Sequence, residues 1–333
     1  MTPLPNTPVI KDIVKDHPLV TVMIPTFNQA DFVGEAIESA ARQDYPNLEV
    51  VICDDASTDG TQAVAERFAG AVNIRYYRNA NNVGRVANYR RLLYELANGA
   101  WVINLDGDDC FLDQHYIRRA MSLALSDSEI VLVFSKAAKG NARDADLKIL
   151  NTRFGATRIL DGTRFCYEHP PYERVVPLHL TCLYQRAAAL KEGFYELNIL
   201  SADFDSLYRL MLGHKIGFID SVSGLWRQHG NNATHTLSFE QLHDNYAMLE
   251  RIYQRAVDKG CFTLEEARRW LRRRSACLLL SVMKHTASGV CTPTAPFRMA
   301  KFLFGREPGF VVELPAAMTR ALLNAMAFNY GVC

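Results

Sequence analysis

Several things are missing from this chain, and each absence closes a door. No apolar run reaches the ~18 residues that a membrane-spanning helix needs. One candidate, ACLLLSVM at 276–283, is far too short and runs into Lys284 and His285. The eight cysteines are scattered with no close pair, so neither zinc-ligand spacing nor a redox pair is present. Formal net charge is only +1, which leaves no global field to gather nucleic acid or a membrane. Glycine is absent from the first strand-to-helix connection, PTFNQADF, so a dinucleotide loop is excluded. No signal peptide, internal repeat or low-complexity tract is visible, and the expectation is a reduced, cytoplasmic protein. The sequon Asn232-Ala233-Thr234 then carries little weight.

What is present is an ordinary composition for a folded protein: 333 residues, 49% hydrophobic and 22% charged. A chain of this length can bury about 75% of its unfolded surface. One large domain with an appendage, or two domains, is expected. Residues 1–18 read as a loosely ordered leader.

From Leu19 strands and helices alternate. LVTVMI, LEVVIC, NIRYY, AWVINL and EIVLVF are short β-branched or apolar runs. Between the first two, ADFVGEAIESAARQ sets Phe32, Val33, Ala36, Ile37, Ala40 and Ala41 on one helical face. Such alternation over 19–134 predicts βαβ units and a parallel sheet sandwiched by helices. Strands covered on both faces must be apolar throughout, as these are. Ligands of such sheets bind beyond the carboxyl ends of the strands. Three strands carry polar clusters there: PTFN, DDAS and DGDD. Beyond 135 the pattern is less regular. KAAKGNARDADLK reads as a loop or hairpin, HPPYERVVP as irregular, YQRAAALKEG and DFDSLYRLMLGH as helices, and KIGFID as a strand. From Phe239 the chain reads as mostly helical.

DGDD places Asp106, Asp108 and Asp109 within four residues. Two unit charges about 4 Å apart cost roughly 4 kcal/mol at an effective dielectric of ~20. The plain reading is a loop whose acids cap a helix beginning near Asp113. The sharper one is a hard-cation site: carboxylates suit Mg²⁺ or Mn²⁺, which bind through one or two of them plus substrate phosphates. Asp54 and Asp55 allow the same pair of readings, a turn or a reader of base and ribose.

TVMIPTFNQADFVGEAIESAARQDYPNLEVVICDDASTDGT resembles the opening of family 2 glycosyltransferases with the GT-A fold, and NNVGRVANYRRLLYELANGAWVINLDGDD resembles the segment that follows. The likeness runs in ordered blocks over about 19–230. It implies a Rossmann-like α/β nucleotide-sugar-binding domain over 19–235, split into a nucleotide-binding half (19–134) and an acceptor-side half (135–235), with a helical C-terminal region over 236–333. It also implies roles. Pro25, Thr26 and Asn28 match the loop against base and ribose. One of Asp54 and Asp55 reads the base. Gly84 and Asn88 match the element over the nucleotide. Asp106 and Asp108 bind ribose, metal and diphosphate, with Asp109 less defined. Asp203 matches the general base, although the residue before it is Ala202 where the family usually has Glu. LWRQHGN resembles the Arg-x-His segment, with Arg227 for phosphate and His229 for metal or diphosphate.

A sugar hydroxyl is a poor nucleophile until a base takes its proton. Helix geometry chooses between the two candidates. Phe204, Leu207, Tyr208 and Met211 form an apolar stripe, and Asp203 and Asp205 fall on opposite flanks of it. Asp203 is preferred.

The expected activity is therefore transfer of a sugar, with inversion, from a nucleotide-diphosphate sugar (a UDP-sugar foremost) to a hydroxyl of a saccharide or lipid-linked saccharide, with Mn²⁺ or Mg²⁺. The rivals are a catalytically silent scaffold of the same fold and a nucleotidyltransferase, which would want a glycine-rich, basic first loop. The C-terminal third adds RRWLRRRSACLLL and PFRMAKFLFGR. The first reads as a solvated helix face plus a packing face. The second reads either as packing plus solvated faces or as a basic amphipathic surface resting on the inner leaflet of the plasma membrane. Nothing interleaves aromatics and bases as a nucleic-acid platform would.

Overall fold

The computed structural model describes residues 17–71, 73–141, 147–151, 154–169, 177–230, 232, 238–287, 289 and 291–316. Nearly all of the expected leader, most of the irregular stretch at 169–177, and two residues of the sequon lie outside them.

The first half follows the alternation. Strands β1 (Val20–Thr26), β2 (Leu48–Asp54), β3 (Ile74–Arg78) and β4 (Trp101–Asn104) are separated by helices α1 (Val33–Ala41), α2 (Thr61–Glu66) and α3 (Arg85–Arg91). The last of these continues into a wide π turn at Leu92–Leu96. A two-residue strand, β5 (Cys110–Phe111), follows the acidic loop and precedes α4 (Tyr116–Leu125). The acids therefore enter a strand and cap no helix, so the plain reading of the triplet is set aside. Then come β6 (Ile130–Gly140), β7 (Lys148–Leu150), β8 (Arg158–Asp161), α5 (Gly162–Glu168), β9 (Leu183–Gln185), α6 (Arg186–Lys191), α7 (Ala202–Met211) and β10 (Lys215–Arg227). Helices α8 (Phe239–Asp258), α9 (Leu264–Ala287) and α10 (Ala295–Arg306) complete the chain.

The main sheet runs β3-β2-β1-β4-β9-β6-β10-β5. Its first four strands are parallel, so their carboxyl ends share one edge. The fifth apolar run does not extend that parallel block. β9 inserts between β4 and β6, antiparallel to both. Helix structure in YQRAAALKEG accordingly starts only at Arg186. Leu183 and Tyr184 are buried, so a three-residue strand covered on both faces shows no period to read. β10 also runs seven residues past Asp220, through register shifts between Ile219 and Gly224, and so carries Arg227 inside a strand.

Apolar spacing explains the packing. Val33, Ala36, Ile37 and Ala40 of α1 are buried against the sheet, while Ala41 faces solvent. On the other face a single hydrophobic cluster runs from Met23, Val51 and Val102 through Leu207 and Met211 of α7 to Trp270 and Leu303. Each fully buried side chain of that size contributes about 1.5–3 kcal/mol. Trp270 also donates its indole N–H to the Cys166 carbonyl at 3.0 Å. The C-terminal helices thus share a core with the α/β half. Their contact changes α7: Asp205, Ser206, Arg209 and Leu210 are buried as well as the expected stripe, whereas Phe204 is partly exposed. Among the described residues no helix is long and apolar enough to cross a membrane.

Candidate functional site

The parallel block delivers three loops to one edge, and backbone hydrogen bonds extend the ladder past the strand ends. Asp55 N donates to Thr26 O (2.9 Å), Leu105 N to Met23 O (2.9 Å) and Gly107 N to Pro25 O (3.0 Å). A cavity of about 340 Å³ opens between these loops. Of the residues singled out from sequence, Pro25, Thr26, Asp55, Gly84, Asn88, Asp106, Asp108 and Asp109 line it. Gly107 makes the convergence possible. A Cβ there would stand 2.7 Å from Thr26 Oγ1 and 2.9 Å from Thr26 Cβ.

The three acids are brought together and each is dealt with differently. Asp106 Oδ1 accepts from Tyr89 Oη at 2.9 Å and from Asn104 Nδ2 at 2.8 Å. Asp108 Oδ2 lies 2.9 Å from His229 Nε2. Asp109 turns inward, where its Oδ1 accepts from Arg227 N at 2.9 Å. Burial pushes the Asp109 carboxyl well above the usual carboxylate range, and the charges of Asp108 and Asp106 push it further. Asp108 is raised for the same reasons, burial first and Asp106 second, with His229 opposing.

Among the described residues no three His, Cys, Asp or Glu side chains are gathered closely enough to hold a metal alone. Two donors, Asp108 and His229, do meet, and Asp106 stands on the same cavity wall. That set fits a divalent ion completed by substrate phosphate, since Mg²⁺ typically takes one or two protein carboxylates and fills its remaining positions from substrate and water.

The acidic pair after β2 divides. Asp54 is fully buried and its oxygens are spent. Oδ1 accepts from Ser57 N (2.9 Å) and Oγ (2.5 Å), and Oδ2 from Tyr76 Oη (2.9 Å) and Arg78 Nη1 (2.8 Å). It does not reach the cavity. Asp55 does, and there it also holds the next loop. Its Oδ1 accepts from Asn79 Nδ2 (2.6 Å) and Val83 N (2.9 Å), and its Oδ2 from Gly84 N (2.8 Å). Gly84 takes φ 88°, a conformation open to glycine. Asn88 reaches back from α3 to donate to the Cys53 carbonyl at 2.8 Å.

Two further residues singled out from sequence do not line the main cavity. Asn28 is exposed and turned toward the β2 loop, where its Oδ1 accepts from Thr58 N at 2.8 Å. It borders a smaller cavity, of about 110 Å³, that reaches Asp108 and His229. Arg227 is 6% exposed and lies off the main cavity wall. Its guanidinium is bonded to Glu35 Oε2 (2.6 Å) and to the Asp108 carbonyl (2.8 Å), over the Phe32 ring at 5.2 Å. Because the strand continues through Arg227, its side chain points beneath the acidic loop toward α1. The arginine that does line the cavity is Arg85, at the first position of α3. Tyr89, Phe27, Gln29, Asn82, Trp226 and Asn232 also line it without having been singled out. Arg85 and Tyr89 flank Asn88 on one helix, and Phe27, Asn82 and Trp226 lie within the stretches PTFN, NNVG and LWRQHGN, so their neighbours carried a sequence signal for them.

Asp203 lies in the first turn of α7, half-buried beside Arg85, Tyr89 and His179, and its carboxylate accepts no hydrogen bond among the described residues. Asp205 is wholly buried and paired with Arg209 at 2.8 Å, with Arg251 at 3.5 Å. Burial also keeps His179 below the usual histidine range, so it stays neutral, with its Nε2 2.7 Å from Tyr195 Oη.

Comparison with known proteins bears on this arrangement. The model of the family "Glycosyl transferase family 2" matches residues 21–192, just over half of the chain. The poly(ribitol-phosphate) beta-N-acetylglucosaminyltransferase TarS of Staphylococcus aureus is 29% identical over 122 residues, covering 36% of this chain and 21% of that protein. Chondroitin synthase of Escherichia coli is 27% identical over 229 residues, covering 66% of this chain and 30% of that one. The matches thus span about a fifth to a third of these relatives. Among solved structures, residues 1–349 of S. aureus TarS in complex with UDP-GlcNAc align with a TM-score of 0.69 at 17% identity, covering 94% of this chain and 92% of that one. A mannosyltransferase of Pyrobaculum calidifontis in complex with GDP-Man and Mn²⁺ aligns with a TM-score of 0.53 at 17% identity, covering 93% and 87%. At those identities the likeness is one of fold. A parallel block ending in an acidic cavity, that shared architecture and a family match over more than half its length lead to one conclusion: this chain belongs to glycosyl transferase family 2 and has the GT-A fold.

Proposed function

We propose that this protein transfers a sugar, with inversion, from a UDP-sugar to a hydroxyl of a saccharide or lipid-linked saccharide. One observation carries the reading: Asp55, Gly84, Asp106 and Asp108 converge with the end of β1 on a single cavity. Asp55 would accept from the base, for which Oδ2 keeps an unused lone pair beside Gly84 N. Asp106, steadied by Tyr89, would take the ribose. Asp108 and His229 would hold a Mg²⁺ or Mn²⁺ ion against the diphosphate. Such an ion, when bound, neutralises charge on the leaving diphosphate. Arg85 takes the place expected of Arg227 as the cation beside the donor.

Asp203 would act as the base. The acceptor oxygen attacks the anomeric carbon, Asp203 receives its proton, and the bond from that carbon to the phosphate oxygen breaks. The electron pair of that bond leaves with the nucleoside diphosphate. A carboxylate with no hydrogen bond of its own and only partial burial is suited to that task. Residues 19–235 would supply the chemistry and 236–333 would buttress the acceptor side.

The test is a panel of UDP-GlcNAc, UDP-glucose, UDP-galactose and GDP-mannose with Mn²⁺ or Mg²⁺, scored for nucleotide released. Metal-dependent release of UDP supports the reading. Binding without release from any donor, with or without added saccharides, would favour a silent scaffold instead.

A further inference from the structure

A second cavity, of about 280 Å³, shares Arg85 with the donor cavity. Arg85 Nη2 donates to the Leu200 carbonyl at 2.5 Å, three residues before Asp203, so the two spaces meet beside the base candidate. Part of the wall is apolar: Val86 of α3, with Ile199 and Leu200 ahead of α7. The rest comes from Asn198 and from the first turns of α8.

The polar groups on that wall are unspent. The exposed Asn198 amide has no partner among the described residues. Gln241 uses its Oε1 to accept from Ser238 N at 2.8 Å, which leaves its two amide N–H donors. The Asp244 carboxylate touches only its neighbour His243, at 3.2 Å. An apolar patch facing donors and acceptors of both kinds is the complement of a sugar ring, which has a C–H face and a rim of hydroxyls. Arg85 and Asp244 supply one charge of each sign, so no net field selects an ionised ligand.

We propose that this cavity is an acceptor subsite for a neutral saccharide ring, read in part by Gln241 and Asp244 of the C-terminal helices; the assignment rests on the donor reading above. A hydroxyl of the ring would then lie on the Asp203 side of Arg85, facing the donor cavity.

Saturation-transfer NMR on the full chain tests this, with UDP, Mg²⁺ and the p-nitrophenyl β-glycosides of glucose, galactose and N-acetylglucosamine as probes. At least one glycoside should saturate. Asn198→Trp, which fills the cavity from an exposed position, should abolish that signal and leave the UDP signal unchanged. Asp244→Ala should weaken glycoside binding about tenfold through loss of a charged acceptor. Glycoside signals that are absent from the wild type, or that survive both substitutions, overturn the subsite, and an intact UDP signal would then leave the donor reading standing. Glycoside signals lost on substitution while UDP never saturates would place a saccharide in this cavity but overturn the donor reading, and with it the acceptor role.

Discussion

The Asp108 carboxylate and His229 Nε2 meet at 2.9 Å, with the imidazole stacked on Phe32 at 4.7 Å between ring centroids. Both atoms are unavailable to a metal until that contact opens and Asp108 gives up any proton. Burial raises Asp108, so protons compete with the ion as pH falls through that raised value. The rise in melting temperature produced by Mn²⁺ plus UDP should therefore shrink as pH falls through that raised value. A gain that grows toward acid pH contradicts the assignment of Asp108 as a ligand.

Asp109 gives a complementary test without ligand. Its folded value is raised above the unfolded one, so the protonated carboxyl stabilises the fold below the ordinary carboxylate range. That contribution is lost as pH rises through the raised value. Asp109→Asn keeps an acceptor for Arg227 N and removes the titration. The variant should gain on the wild type as pH rises through that value and show a flatter dependence on pH. An equally steep dependence would assign the slope to other groups.

Arg227 tests structure against ligand binding. It is buried among Glu35, the Asp108 carbonyl and Phe32, not directed at the cavity. Arg227→Ala should cost about 2 kcal/mol in denaturant unfolding, because a buried carbonyl and a carboxylate lose their donor. Lysine should not restore it, since one ammonium cannot span both acceptors while lying over the ring. Donor affinity measured below the melting transition should change less than it does in Arg85→Ala. The reverse order would return the phosphate role to Arg227.

Much of this was legible in the sequence, and the failures have physical causes. β1 to β4 and their helices announce themselves by apolar runs and amphipathic spacing, and the acidic strand ends mark the ligand edge. β9 did not, because three residues buried on both faces carry no period. Asp54 and Asp55 could not be told apart either. Successive strand residues point to opposite sides, and which one faces the cavity depends on where pairing with β1 and β3 ends. Arg85 sits in a charged helix, RVANYRR, where its residue type does not set it apart from Arg90 and Arg91. Only the approach of residues 198–200 gives it a second cavity beside the donor cavity.

Gly107 illustrates a constraint the acidic residues hide. A Cβ there would collide with Thr26, so Gly107→Ala should push the β1 loop and the acidic loop apart. Nucleotide release should fall at least tenfold while the far-UV circular dichroism spectrum stays that of the wild type, since the shift is confined to Thr26, the last residue of β1, and to the loops beyond it. Full activity would mean that the two loops need not touch.

Asp203→Asn should leave UDP and metal binding intact and lower transfer by roughly 10²–10⁴-fold, the usual worth of a general base. Equal activity of variant and wild type removes Asp203 from the chemistry. Asp205→Asn should instead act on stability, because Asp205 is bound to Arg209 and Arg251 in the core.

Calorimetric titration of UDP into wild type and Asp108→Ala, each with and without Mn²⁺, asks the most direct question of all. Wild type should bind UDP at least tenfold more tightly with the ion than without it, and Asp108→Ala should show no such gain. Binding that ignores Mn²⁺ in the wild type, or a gain that persists in Asp108→Ala, would contradict the claim that the converging strand ends hold a nucleoside diphosphate through a divalent ion.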